Sequence, residues 1–237
     1  NLNGPTGLYV SGKYAYVTSE NNATLAIFDV SNPSSIVTRG TTTANMNQPY
    51  SVYVSGRYAY VACYTLSRFC IFDVSNPDSI VTKAYMNLSF IFPVDIKVSG
   101  KYAYIVNYDN ATNSYLSIFD ISNPDSIVAK ATTNVNLNAP YGVYVSGKYA
   151  YVANRGGNSL NIYDISNPGS IVTKGSVAPA GLGPFEIRVS GKYAYVASYN
   201  NSRLCIFDVS NPDNIVTKGY TSTNLGGPQS VYVSGKY

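Results

Sequence analysis

Two short stretches of this chain put an acid and a base on one side of an extended strand: Asp95-Ile96-Lys97 and Glu186-Ile187-Arg188. Residues i and i+2 of a strand share a face, so each carboxylate arrives beside a cation. Two carboxylates about 5–10 Å apart are the machinery of glycoside hydrolysis. A neighbouring cation, however, lowers a carboxyl pKa and works against the protonated general acid that this reaction needs. The four residues therefore read first as compensated pairs buried between packed elements. The functional alternative is a polar ligand site at the mouth of a central channel, with Asp95, Lys97, Glu186 and Arg188 as its binding residues and none of them catalytic. Histidine is absent, which removes Ser-His-Asp and Cys-His nucleophile pairs and any His-based metal site. The expectation is a protein that is not an enzyme and that needs no metal or other cofactor.

The elements that carry these residues belong to a repeat. Val145-Ser146-Gly147-Lys148-Tyr149-Ala150-Tyr151-Val152 returns almost unchanged at Val10, Val54, Val98, Val189 and Val233. Each copy reads as a hairpin of β-branched and aromatic runs, with glycine where a two-residue turn needs positive φ. A third strand follows, as in Leu160-Asn161-Ile162-Tyr163-Asp164-Ile165, and Ser166-Asn167-Pro168 closes it, because proline has no N–H for a ladder. Ile171-Val172-Thr173-Lys174 completes a unit of four strands, A to D. A proline before each strand A, at 5, 49, 93, 140, 184 and 228, marks units at 5–48, 49–92, 93–139, 140–183 and 184–227. The three extra residues of the third unit fall between Val106 and Leu116, which marks the B–C connection as a loop.

Four-stranded units of about 40–50 residues are the signature of propeller blades. The expected fold is all-β, a single domain forming a five-bladed β-propeller of four-stranded antiparallel blades, with 228–237 as a surplus strand A of a sixth unit. The run Leu/Phe-x-Ile-Phe/Tyr-Asp-Val/Ile-Ser-Asn-Pro, followed by V-x-V-S-G-K-Y-A-Y-V-A, resembles the LVIVD repeat family of bacterial and archaeal surface and secreted proteins. Tyr151-Val152-Ala153-Asn154 is also similar to the YVTN surface-layer propellers. One departure stands out: phenylalanine or tyrosine usually precedes the aspartate where the family has a second aliphatic. The resemblance covers the whole chain and implies an extracellular or cell-surface address with no assigned activity.

Composition narrows the classes further. Charged residues make up 12% of the 237, and the net charge of +4 is spread over the Ser-Gly-Lys/Arg turns, which is a solvated face and not a nucleic-acid groove. No apolar run approaches a membrane span. Of the 24 tyrosines, fifteen sit at repeat positions and read as sheet packing. The aspartates Asp29, Asp73, Asp120, Asp164 and Asp208 precede Ser-Asn-Pro in every unit and read as turn caps.

The remaining candidates lie outside the repeat consensus. Tyr64, Tyr108 and Tyr199 open three of the variable B–C loops and suit stacking on sugar rings, as in a carbohydrate-binding lectin. Sequons stand at Asn22, Asn87, Asn110 and Asn200 and suggest a glycosylated rim. Cys63 and Cys70 flank one hairpin, as a disulfide candidate or as two buried free thiols. The connection from Tyr85 to Phe92 is apolar, so Phe90 and Phe92 are candidate interface residues. The chain starts at Asn1, without methionine, and reads as a processed product or a window of a longer array. Residues 224–237 repeat Asn1 to Tyr14 in register. A spare Val231-Tyr232-Val233 strand taking the place of Leu8-Tyr9-Val10 in a neighbouring molecule would give a head-to-tail homo-oligomer or filament. These readings converge on a non-enzymatic extracellular structural or binding propeller, with the lectin as the alternative.

Overall fold

The structure, a computed structural model, describes residues 2–89, 92–109 and 113–234. The fold is the expected all-β propeller type: five sheets of four antiparallel strands, each sheet made from one sequence repeat. The first sheet holds β1 (Pro5–Ser11), β2 (Tyr14–Ser19), β3 (Thr24–Asp29) and β4 (Val37–Thr42), and the second holds β5 (Pro49–Ser55), β6 (Tyr58–Cys63), β7 (Arg68–Asp73) and β8 (Val81–Asn87). The third is β9 (Pro93–Ser99), β10 (Tyr102–Asn107), β11 (Leu116–Asn123) and β12 (Ser126–Thr133). The fourth is β13 (Pro140–Ser146), β14 (Tyr149–Asn154), β15 (Ser159–Asn167) and β16 (Ser170–Val177), and the fifth is β17 (Pro184–Ser190), β18 (Tyr193–Ser198), β19 (Arg203–Asp208) and β20 (Val216–Thr221). By contact density the chain divides into two compact units: Asn1–Ile105 with Phe119–Ala129, and Val106–Ile118 with Lys130–Tyr237.

The hairpin signal is realised as two-residue turns. Ser11 pairs with Tyr14, and Gly12 between them has φ of 57°, a conformation that glycine adopts without the Cβ clash other residues meet. The aspartate before each Ser-Asn-Pro caps the next turn, as in Ser31 N–H to Asp29 Oδ1 at 3.0 Å and Ser166 N–H to Asp164 Oδ1 at 2.9 Å.

Sheets stack face to face within each unit. In the first unit Tyr16, Leu25 and Ile27 pack against Val52, Val54, Val61 and Phe72 of the next sheet, and in the second Tyr151, Leu160 and Ile162 pack against Ile187, Val189, Val196 and Phe207. The repeat tyrosines serve this packing: Tyr16, Tyr60 and Tyr151 are each 5% exposed, and burial raises their pKa.

Cys63 and Cys70 are free and buried, not a disulfide. Cys63 stands opposite Arg68 in the ladder and Cys70 opposite Val61, so the two sit on a diagonal. Cys70 donates to the Asn45 carbonyl at 3.4 Å, and its hydrogen bond with Cys63, together with burial, pushes its thiol pKa up.

Candidate functional site

The ladder between the first two strands of a sheet has one irregularity, and it sits where the candidate side chains lie. In the fourth sheet Pro140 pairs with Asn154 and Gly142 with Ala153, which leaves Tyr141 as an extra residue on β13. In the fifth, Pro184 pairs with Ser198 and Glu186 with Ala197, which leaves Phe185. A bulge of this kind turns a side chain out of the ladder alternation. The residue just past the paired end of the second strand is Arg155 in one sheet and Tyr199 in the other, so bulge and loop residues meet at the same sheet end.

The result is an aromatic cluster around a guanidinium. Tyr141 and Phe185 have ring centroids 3.9 Å apart, Phe185 and Tyr199 5.8 Å, and Tyr108 meets Tyr141 edge-on at 5.4 Å. The Arg155 Cζ lies 5.4 Å from the Tyr141 ring centre, 5.2 Å from that of Phe185 and 5.3 Å from that of Tyr199. Arg155 is half-buried, and among the described residues no carboxylate pairs with it and no acceptor takes a hydrogen bond from its side chain. Cation–π contact holds such a group without using its N–H donors. The five donors remain for a ligand oxygen, and a planar fork suits a carboxylate or phosphate.

The aromatic residues expected at the loop starts divide. Tyr108 and Tyr199 belong to this cluster. Tyr64 belongs to the first unit, where it stacks on Phe92 at 4.4 Å and meets Tyr50 at 5.8 Å. Tyr141, Arg155 and Phe185 are functional candidates that sequence reasoning missed. A signal existed for Arg155, which stands where three other repeats have tyrosine, but the bulges that aim Tyr141 and Phe185 leave no mark in the alternation pattern.

The acid–base pairs form as their spacing suggests. Asp95 is 8% exposed, holds Lys97 Nζ at 2.6 Å and accepts from Ser51 Oγ at 2.9 Å. Glu186 pairs with Arg188 at 2.5 Å and accepts hydrogen bonds from Ser230 Oγ and from the Val231 N–H at 3.1 Å. Ser51, Asp95, Glu186 and Ser230 occupy the same repeat position, so each acid bonds a serine from an adjacent repeat. Asp95, Lys97, Glu186 and Arg188 are thus engaged within the protein.

Other expected positions fall as follows. Leu8 and Val10 are 67% and 56% exposed, whereas their counterparts Val52 and Val54 are 5% and 4%. Tyr9 packs on Tyr53 at 4.7 Å, and Tyr232 is 83% exposed. As far as residue 234, the C-terminal copy of the β1 sequence, Val231, Tyr232 and Val233 included, forms no sheet ladder. Asn87 and Asn200 are exposed and Asn22 is half-buried; Asn110 and Phe90 lie outside the described residues. Among the described residues no three His, Cys, Asp or Glu side chains converge as metal ligands, and no helix is long and apolar enough to cross a membrane.

This repeated frame is that of the LVIVD repeat, which matches residues 6–43, 49–90, 94–135, 141–178 and 185–223; the chain belongs to the LVIVD repeat family. None of the curated proteins matches it. Among solved structures it is similar to a putative 6-phosphogluconolactonase from Bacteroides fragilis, with a TM-score of 0.82 and 17% identity over 98% of this chain and 75% of the other. The periplasmic gluconolactonase of Pseudomonas aeruginosa gives 0.79 and 16% over 95% and 72%. A functionally unknown protein from Desulfotomaculum acetoxidans gives 0.77 and 17% over 92% and 70%. At these identities the likeness establishes the fold.

The comparison corrects one expectation. The reading as a non-enzymatic surface structure or lectin does not stand, because structures of this fold include proteins named as lactonases. The tyrosines offered for sugar stacking are also largely engaged by other rings, Tyr64 by Phe92 and Tyr108 by Tyr141.

Proposed function

We propose that this chain acts on a small anionic sugar derivative of the sugar-acid lactone class, held at the Arg155 cluster. The observation that carries the reading is Arg155 itself, a half-buried guanidinium against three aromatic rings with no acidic partner among the described residues. A cation without an internal counter-ion is placed to receive one from a ligand. The names of two similar folds, gluconolactonase and 6-phosphogluconolactonase, supply a substrate class with that chemistry: a polyhydroxylated ring whose phosphorylated form and whose ring-opened product are anions.

The test is hydrolysis of gluconolactone and of 6-phosphogluconolactone above the buffer rate, together with calorimetric binding of gluconate and 6-phosphogluconate. A charge-assisted hydrogen bond contributes about 1.5–3 kcal/mol, so Arg155→Ala should lower kcat/KM by about 10- to 100-fold without altering the fold. Absence of turnover with both lactones and of binding with both acids would overturn the reading.

A further inference from the structure

In both units one sheet covers the next by a recurring contact, and two faces built for that contact stand open. In the first unit Tyr16, Leu25 and Ile27 of the first sheet cover Val52 and Val54 of the second. In the second unit Tyr151, Leu160 and Ile162 of the fourth sheet cover Ile187 and Val189 of the fifth. No covering residue is more than 5% exposed. The contact also has a backbone edge. A Cβ on Gly40 would lie 2.4 Å from the Pro77 carbonyl oxygen, and one on Gly175 2.4 Å from that of Pro212, so glycine lets the fourth strand of one sheet approach the Asn-Pro turn of the next. The cation before each glycine pairs across the same edge, Arg39 with Asp78 at 2.6 Å and Lys174 with Asp213 at 3.2 Å.

The fifth sheet repeats the covering face uncovered. Its equivalents Tyr195, Leu204 and Ile206 are only half-buried. A Cβ on Gly219, the counterpart of Gly40 and Gly175, would meet nothing within 4 Å, and among the described residues Lys218 pairs with no carboxylate. Residues 228–234 reach this sheet at Glu186 on β17, through Ser230 Oγ and the Val231 N–H, and leave that face open. The first sheet repeats the covered face. Leu8 and Val10 are 67% and 56% exposed, where their equivalents Val52 and Val54 are 5% and 4%. Pro33, the counterpart of Pro77 and Pro212, is exposed on the same sheet.

We propose that the fifth sheet of one molecule receives the first sheet of a second copy of this chain, in the geometry already used between neighbouring sheets within each unit. A second copy is the fitting occupant because the chain carries both halves of the contact in exposed form. Leu8 and Val10 then lie on Tyr195, Leu204 and Ile206, and the Pro33 carbonyl meets Gly219. The incoming β1 takes the seat of residues 228–234, whose Tyr232-Val233-Ser234 matches Tyr9-Val10-Ser11. Ser34 stands where Asp78 and Asp213 stand, so the contact gains no ion pair and rests on apolar burial. The two surfaces differ, which makes the contact head-to-tail. None of these residues belongs to the Arg155 cluster, and the proposal stands apart from the lactone reading.

The experiment is analytical ultracentrifugation of the whole chain from low micromolar to submillimolar concentration. The average mass should rise with concentration and should hold when NaCl is added, because no charge pair crosses the contact. Leu8→Lys/Val10→Lys blocks one face and Gly219→Tyr the other. These positions are open in the single molecule, so both variants should keep the circular dichroism of the parent chain, and each alone should sediment as a monomer. Mixed in equal amounts they should form a dimer and nothing larger, since one intact face of each kind remains. Arg155→Ala should associate as the parent chain does. A parent chain that stays monomeric throughout would overturn the proposal, as would association that dissolves in added salt or a mixture of the two variants that stays monomeric. Association retained in Leu8→Lys/Val10→Lys would overturn it in favour of an exchange of residues 228–234 into the first sheet.

Discussion

The two units each gather aromatic rings at the bulged end of a sheet, and they do opposite things with them. In the first, Tyr50 is the bulge residue, since Pro49 pairs with Cys63 and Ser51 with Ala62, and it meets Tyr64, which is stacked on Phe92. In the second, Tyr141 and Phe185 are the bulge residues and the loop contributes Arg155 and Tyr199. The residue before each strand-A proline differs as well. Phe92, Ala139 and Gly183 all have positive φ, at 56°, 45° and 44°, yet only Phe92 carries a ring to lay over its neighbour. One frame thus yields a self-contained apolar stack where the variable positions are tyrosine and phenylalanine, and a cation site where they are arginine and small residues. Function in such a repeat resides in the departures from it.

The largest effect should come from the scaffold that both clusters share. Phe72 and Phe207 are repeat equivalents, both 0% exposed, and truncation of either to alanine should cost about 3–5 kcal/mol in urea unfolding. A cost confined to one of them would show that the two units do not depend on the same packing.

Next in size is the exchange of the clusters themselves. Arg155→Tyr gives the second cluster the all-aromatic character of the first, and it should reduce gluconate or 6-phosphogluconate binding by about 10- to 100-fold, with unfolding changed by less than about 0.5 kcal/mol. Retained affinity in this variant would break the comparison, because the arginine would then not be what distinguishes the clusters.

A smaller effect is expected at Tyr163, a tyrosine where the repeat otherwise has phenylalanine. Its hydroxyl donates to the Val135 carbonyl at 2.7 Å, and burial raises its pKa to about 12. Tyr163→Phe should cost about 1–2 kcal/mol by leaving that carbonyl without its donor, although it restores the residue present in the other sheets. A neutral or stabilising result would show that water reaches Val135.

The smallest effect concerns pH. Arg57 hydrogen-bonds Asp73, and with Ser75 it lowers the Asp73 pKa to about 2. A carboxylate with a depressed folded-state pKa contributes stability above its unfolded value, near 4, and that contribution is lost as pH falls towards 2. The pair faces solvent, so the contribution is well below 1 kcal/mol. Asp73→Asn should flatten the acid limb of unfolding between about pH 4 and pH 2 and leave pH 7 stability almost unchanged. An unaltered acid limb would assign the acid sensitivity to other carboxylates.

Much of the fold was legible in the amino-acid sequence because its causes are local. Strand positions follow from the Val-Tyr-Val and Tyr-Ala-Tyr-Val alternation, the hairpins from Gly12 and its equivalents, and the strand ends from Asp-x-Ser-Asn-Pro; each rests on a backbone preference acting within a few residues. The spacing of Asp95 and Lys97 likewise foretold a compensated pair, since strand geometry alone puts i and i+2 on one face. What the tertiary structure decided was non-local. The bulge that re-aims Tyr141 depends on how β13 registers against β14, and a register slip of one residue is invisible in either strand read alone. The hydrogen bonds that hold the buried Asn154 side chain depend likewise on Asn136 and Asn138 from the preceding loop. In sequence Arg155 is one residue of a variable loop, and only the meeting of two sheet ends within one unit surrounded it with Tyr141, Phe185 and Tyr199, because ring-to-guanidinium contact is set by packing and not by any preference along the chain.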